Sequence, residues 1–298
     1  MPKFRETGDL LTEKINPNTI DIDTKSTNQI VDTIISEDNV INRAISLQKI
    51  NISNAVDLIC DSLGSGGRLF FLGAGTSGRL AVVEAAECPP TFGTDPELIQ
   101  AVIAGGNKAI TSSIEGAEDS SEDSVIELMK LSLTSSDILV GIAASSSTPF
   151  VQSAIEYSKN IGAKTILITC NPKTDSIPDI TISLLVGPEV IVGSTRLKAG
   201  TATKMVLNIL TTASMIRLGK TYGNLMVDVQ PKSSKLRDRA IRIVVELCKV
   251  DSKKSLEVLE STNWNVKASV LMIKKNIGFD EALILLEKSN GFLKKALI

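Results

Sequence analysis

Two short apolar runs in this chain each end in a small, hydroxyl-rich turn followed by a helical pattern. Arg68-Leu-Phe-Phe-Leu72 leads into Gly73-Ala-Gly-Thr-Ser77, and Ile138-Leu-Val-Gly-Ile142 leads into Ala143-Ala-Ser-Ser-Ser-Thr-Pro149. Further strand-like runs at Leu98–Ala104, Thr165–Thr169 and Asp179–Leu185 alternate with helical stretches, ending in the long apolar helix Thr201–Leu218. This alternation predicts an α/β fold with a doubly wound parallel sheet over Arg68–Leu218. Such a sheet is covered on both faces, so its strands read as continuous apolar runs.

The flanks read differently. Residues 1–25 are polar and turn-rich, with Pro2, Gly8 and Pro17. Helices are expected near Ser26–Ile35 and over Asp38–Leu63, the second carrying Ile41, Ala44, Ile45, Val56 and Ile59 at helical spacing and stopping at Ser65-Gly66-Gly67. A helix from about Gly78 to Glu87 should end at Cys88-Pro89-Pro90, since proline cannot continue it. Ser252–Leu259, Asn265–Lys274 and Phe279–Lys288 predict a small C-terminal three-helix module. The expected division is an N-terminal helical arm over 1–56, a sheet domain over 57–220 and a helical region over 221–298.

Composition removes several function classes. Aromatic residues make up 3% of the chain, too few for a base-stacking or carbohydrate-stacking surface. The net charge is −2, and the cations of Lys232–Arg242 are interrupted by Asp238, so a solvated helix face is expected there rather than a nucleic-acid site. Histidine is absent, and Cys60, Cys88, Cys170 and Cys248 form no CxxC pair. Ser-His-Asp and Cys-His catalysis are therefore excluded, and a zinc site is not expected. Acid–base work at neutral pH falls to carboxylates, Lys, Tyr or Cys. Met1–Leu11 has no apolar signal core, and no stretch of about 20 apolar residues follows, so a reduced, cytoplasmic setting without membrane contact is expected.

The turns suggest the ligand. The first N–H groups of a helix lack intrahelical acceptors and carry partial positive charge, and small hydroxyl side chains add donors without bulk. Gly75, Thr76 and Ser77 in one turn, and Ser145, Ser147 and Thr148 in the other, fit an anion at the strand C-termini; plain helix capping uses the same residue types. Gly73-Ala-Gly75-Thr-Ser-Gly78 also matches GxGxxG, but the next strand ends Ile103-Ala-Gly-Gly106 without the ribose-binding acid of a dinucleotide site. Arg79 follows the first turn. Ser194, Arg196 and Lys198, beside Gly193 and Gly200, could meet an anionic ligand or an acidic neighbour.

Several ordered strings together resemble the N-acetylmuramic acid 6-phosphate etherases of bacteria. They are Leu72-Gly-Ala-Gly-Thr-Ser-Gly-Arg79-Leu, Ala86-Glu87-Cys88-Pro89-Pro90-Thr91, Glu115-Gly-Ala-Glu118-Asp119, Gly193-Ser-Thr-Arg196-Leu-Lys198-Ala-Gly-Thr-Ala202 and Gly223-Asn-Leu-Met-Val-Asp228-Val. The resemblance implies a sugar isomerase (SIS) fold, a homodimer and no metal or organic cofactor. It also implies a lyase that converts N-acetylmuramate 6-phosphate and water to N-acetylglucosamine 6-phosphate and D-lactate. It places the family's two functional glutamates on Glu87 and Glu118, with Glu87 suggested as the proton donor to lactate and Glu118 as its base partner. One departure is visible. Relatives commonly read Ala-Ser-Gly-Arg-Thr-Pro where this chain has Ala144-Ser145-Ser146-Ser147-Thr148-Pro149, so one cation of the second turn is missing. An SIS aldose–ketose isomerase and a non-catalytic sugar-phosphate sensor are the competing readings.

Glu87 poses a spatial problem. At about 1.5 Å per residue it lies ~15 Å along its helix from Thr76, too far for one sugar to touch both. Either the helix bends back at Cys88-Pro-Pro, or Glu87 serves the site of a partner subunit. A first expected result also follows from this chemistry. With no histidine and no clustered cysteine, lactate release should survive exhaustive chelation; a loss restored by adding back a divalent ion would contradict it.

Overall fold

The computed structural model describes residues 10–172, 177–229, 231 and 233–298. Residues 1–9 of the turn-rich N-terminal stretch, with Pro2 and Gly8, and Lys232 of the basic stretch lie outside the described residues. The chain divides into two compact units, 1–85 with 97–211 and 86–96 with 212–298.

In the larger unit, helices α1 (Thr27–Asp38), α2 (Ile41–Leu47) and α3 (Lys49–Gly64) precede strand β1 (Leu69–Gly73). Then come α4 (Gly75–Phe92), β2 (Ile99–Ile103), α5 (Lys108–Thr111), α6 (Ser121–Lys130), β3 (Ile138–Ile142), α7 (Pro149–Asn160), β4 (Lys164–Thr169), β5 (Ile180–Ser183) and α8 (Lys198–Arg217). The five strands form one wholly parallel sheet in the order β2-β1-β3-β4-β5. The expected doubly wound sheet is present, and all five strand-like runs are strands of it.

Strand alternation sorts the core. Phe70, Leu72, Leu139 and Leu167 face one side, where they pack with Leu128 of α6 and Phe150, Val151, Ala154 and Ile155 of α7. Leu69, Phe71, Ile138, Val140 and Ile142, equally buried, point to the other side, and α3 packs against β1, β3 and β5. α1 opens with a reciprocal capping box between Ser26 and Gln29.

Two helices differ from expectation. The stretch Asp38–Leu63 is broken at Gln48, whose backbone (φ −97°, ψ 9°) leaves the helical region between α2 and α3. The helix expected to stop at Cys88 instead runs from Gly75 to Phe92 with Pro89 and Pro90 inside it. Near the end of a helix the missing proline N–H groups strand only the carbonyls of Ala85 and Ala86, so the geometry can continue. Gly93, at φ +62°, closes the helix with its N–H on the Pro89 carbonyl at 3.0 Å.

The smaller unit holds the end of α4, a short hairpin of β6 (Thr221–Tyr222) and β7 (Leu225–Met226), and helices α9 (Ser234–Cys248), α10 (Ser252–Ser261), α11 (Val266–Lys275), α12 (Phe279–Lys288) and α13 (Leu293–Ala296). The three helices expected from periodicity are α10, α11 and α12. Asp251 and Asn265 cap two of them through the N–H groups of Lys254 (2.7 Å) and Ala268 (3.0 Å). α9 and α13 add to that module around a core of Val244, Leu259, Leu271, Ala282 and Leu293. Trp264 packs against this core, with the Arg237 guanidinium 5.1 Å from its ring centre. Among the described residues no helix is long and apolar enough to cross a membrane.

Candidate active site

Strand order locates the site before any side chain is considered. In a sheet ordered 2-1-3-4-5 the connections leave β1 and β3 in opposite directions, which opens a crevice at their carboxyl ends. Both hydroxyl-rich turns sit there, since one follows β1 and the other follows β3. A cavity of about 440 Å³ occupies the crevice and is lined by Gly75, Thr76 and Ser77 from one turn and Ser145, Ser147 and Thr148 from the other. Glu118 reaches the same cavity from the loop that follows α5.

Backbone packing fixes both turns. A Cβ on Gly78 would fall 2.6 Å from the Gly73 carbonyl and 2.5 Å from the Ile103 side chain, so α4 starts against β1 and β2 only because that position is glycine. In the second turn the Ala144 carbonyl accepts from the N–H of Cys170 (3.0 Å), the side-chain amide of Asn171 (2.7 Å) and the hydroxyl of Thr169 (3.3 Å). Ser145 Oγ accepts from the N–H and the hydroxyl of Ser147, both at 3.3 Å, and lies 3.4 Å from Thr148 Oγ1. Ser146 is buried at φ +63°, a left-handed conformation uncommon for a residue other than glycine.

Two of the three cations expected near the anion, Arg79 and Lys198, are engaged elsewhere. Lys198 is 3% exposed, and its ammonium pairs with Glu37 at 2.7 Å. Arg79 donates to the carbonyls of Ile110 (3.2 Å) and Ser112 (3.0 Å), so it grips the loop leading to Glu118; it lines a smaller cavity of about 130 Å³ next to Glu118 rather than the main one. Ser194 and Arg196 are not among the residues lining the main cavity, although their neighbours Gly193 and Thr195 are. Lys198 opens α8, and the carboxylate of Glu189, 1% exposed, accepts from the N–H groups of Lys198 (3.2 Å) and Ala199 (2.9 Å). Burial pushes the Glu189 carboxyl above the ordinary range, against the pull of those donors.

Of the two glutamates on α4, Glu84 is buried and structural. It accepts from the Thr211 hydroxyl at 2.5 Å and pairs with Lys204 at 2.8 Å. Glu87 is exposed, belongs to the smaller unit and is not among the residues lining the cavity. α4 is helical through Cys88 and on to Phe92. Two lining acids, Glu13 and Asp119, were not singled out from the sequence. Asp119 is adjacent to Glu118 in the acidic string. Glu13 sits in a polar segment whose sequence carries no signal for it.

The wholly parallel sheet, with its hydroxyl-lined cavity at the β1/β3 switch point, is a fold of the sugar isomerase (SIS) type, and residues 51–159 match the family model described as the glucokinase regulatory protein N-terminal SIS domain. Similarity extends much further along the chain. It is 47% identical over 298 residues to the N-acetylmuramic acid 6-phosphate etherase of Gloeobacter violaceus, covering 99% of this chain and 97% of that protein. It is 46% identical over 290 residues to the etherase of Clostridioides difficile, covering 97% of this chain and 95% of that one. The chain belongs to the N-acetylmuramic acid 6-phosphate etherase family.

Proposed function

We propose that the cavity holds the phosphate of N-acetylmuramic acid 6-phosphate between its two hydroxyl-rich turns, and that the enzyme is a carbon–oxygen lyase releasing D-lactate. The observation that carries this reading is the placement of Glu118 in the same cavity as both turns, in a chain similar to named etherases over nearly its whole length. The lactyl oxygen is on C3, β to the C1 aldehyde of the open-chain sugar. A base removes the C2 proton, which the carbonyl acidifies; the C3–O bond breaks as an acid protonates the departing lactate oxygen. Water then adds at C3 of the unsaturated aldehyde, giving N-acetylglucosamine 6-phosphate. Two carboxylates in different protonation states run this cycle without histidine. Glu118 and Glu87 are assigned these roles, Glu118 as base and Glu87 as acid. The pathway served is catabolism of cell-wall amino sugar in the cytoplasm. Incubating the pure protein with N-acetylmuramate 6-phosphate and assaying D-lactate tests the reading; sugar isomerisation without lactate would overturn it.

The phosphate assignment yields its own result. Ser77→Ala and Ser145→Ala should each raise KM about tenfold, the cost of one hydrogen bond to a charged group, with kcat changed less. A kcat loss at unchanged KM would move the phosphate away from these turns.

The enzyme acts as a homodimer in which Glu87 serves the partner's cavity. The support is the rise of α4 between Thr76 and Glu87, about 1.5 Å per residue, which exceeds the reach of one sugar. A Glu87→Gln subunit mixed with a Ser77→Ala/Ser145→Ala subunit tests this. Assayed with substrate far below the raised KM, both homodimers should be nearly inactive, and verified mixed dimers should regain up to about one working site in two. No recovery would assign Glu87 to its own subunit.

A further inference from the structure

We infer that Glu13, carried on the N-terminal segment, is a substrate-contacting residue that accepts hydrogen bonds from hydroxyls of the sugar chain and so selects the sugar rather than the phosphate. The inference rests on the phosphosugar reading of the same cavity.

Glu13 lines the cavity opposite no cation: the described residues that line it supply hydroxyls, backbone groups and acids, but no Lys or Arg. Its carboxylate makes no hydrogen bond or ion pair among the described residues, although it is only partly exposed. A partly covered carboxylate without a donor is costly, and a bound ligand that brings donors relieves that cost. The phosphate and the lactyl carboxylate bring negative charge instead, and at short range both are repelled by Glu13. The neutral hydroxyls of the sugar are the donors that suit it.

The carboxylate is held by its surroundings, not by a partner of its own. The Leu11 N–H donates to Asn171 Oδ1 at 2.6 Å, and the Gly193 N–H donates to the carbonyl of buried Thr12 at 3.2 Å. Asn171 in turn donates to the Ala144 carbonyl, so the segment bearing Glu13 is tied to the phosphate turn after β3. Gly193 gives the carboxylate its room. A Cβ there would lie 3.0 Å from Glu13 Oε2, and the φ of +71° already favours glycine. A segment pinned at Leu11 and Thr12, directly before an acid that has no partner among the described residues, and beside a glycine that leaves the acid room, is how a specificity group is pre-positioned.

Two probes separate a sugar contact from a merely structural role. Calorimetric titration with N-acetylglucosamine 6-phosphate and with inorganic phosphate would be run on the wild type, Glu13→Ala and Glu13→Gln. Glu13→Ala should weaken the sugar phosphate about tenfold to a hundredfold. Inorganic phosphate should bind as well or slightly better, because a like charge has gone. Glu13→Gln, which keeps an acceptor oxygen, should recover part of the sugar affinity. Equal weakening of both ligands would mean that Glu13 only supports the fold, and unchanged sugar affinity would place it outside the contact; either overturns the inference. These outcomes do not depend on lactate release, so failure of the etherase assay with retained discrimination between the probes would sink the reaction and leave the Glu13 contact standing.

Discussion

Replacing Glu118 by Gln is expected to slow D-lactate release by about a hundredfold to ten-thousandfold, the usual contribution of a positioned acid or base. The amide is nearly isosteric, so the cavity keeps its shape, but it cannot take up the C2 proton. Glu118 is an exposed carboxylate on the cavity wall with no hydrogen bond or ion pair among the described residues. Its removal therefore leaves no buried partner stranded, and stability should change little. Affinity for inorganic phosphate should stay within a few-fold of wild type, because the two hydroxyl turns are untouched. The measurement is single-turnover lactate release beside phosphate titration. A variant that turns over normally would remove Glu118 from the proton transfers, and one that loses phosphate affinity would make it part of the anion cradle.

Lys198→Met is expected to destabilise the protein rather than to disarm it. The ammonium is 3% exposed, its partner Glu37 is 13% exposed, and the ion pair is 2.7 Å long. Removing one partner of such a buried pair costs about 3–5 kcal/mol. The lower end applies, because Glu37 keeps hydrogen bonds from the side-chain amides of Asn16 (2.7 Å) and Asn18 (2.8 Å). At roughly 2–4 °C per kcal/mol for a unit of this size, Tm should fall by about 6–12 °C. Replacing Glu37 and Lys198 together by Met should recover much of the loss. A Lys198→Met enzyme of wild-type stability that no longer binds phosphate would instead make Lys198 a ligand. Acid supplies a second check. Burial pushes the Glu37 carboxyl up, but the bonds from Lys198, Asn18 and Asn16 outweigh it and hold it below the ordinary glutamate value of 4.5. A folded-state value depressed in this way contributes stability above the unfolded value and loses it as pH falls through the folded one. The contribution of Glu37 should therefore fade only below about pH 4.5, and the Glu37→Met/Lys198→Met protein should lack that limb of the acid denaturation curve.

The parts of the fold legible in the sequence are those where one local signal dominates. Leu69–Gly73 and Ile138–Ile142 are too apolar and too short for anything but buried strands, and the capping box at Ser26 and Gln29 marks the start of α1 without help from the rest of the chain. The errors arise where tertiary context overrules a local rule. Periodicity runs through Gln48 uninterrupted, yet the helix breaks there, and the Pro89-Pro90 pair that should stop α4 is tolerated inside it. The same division holds at the site. Thr76, Ser77, Ser145 and Thr148 stand out in the sequence because two hydroxyl turns recur between strand and helix in one sheet, although helix capping uses the same residue types, and all four line one cavity. For Arg79 and Lys198 the sequence is less decisive, because charge beside a glycine turn does not say which way the side chain points; the structure turns Arg79 to loop carbonyls and pairs Lys198 with Glu37, the acidic neighbour that stood as the alternative to a ligand. Glu118 stood out only through the family resemblance, and Glu13 not at all, since its place depends on Gly193 and Asn171, each more than 150 residues away.

The path of α4 also bears on modularity. Its first turn carries Thr76 and Ser77, which line the cavity of one unit, and its last turns, from Ala86 on, belong to the other. The smaller unit is thus assembled from two distant stretches of chain, and no single cut frees it. Ending the protein at Thr211 would delete the C-terminal helices but leave residues 86–96 as an exposed, proline-bearing helix end without the rest of its unit. The C-terminal region is therefore not a cassette that can be lost or exchanged by moving one boundary.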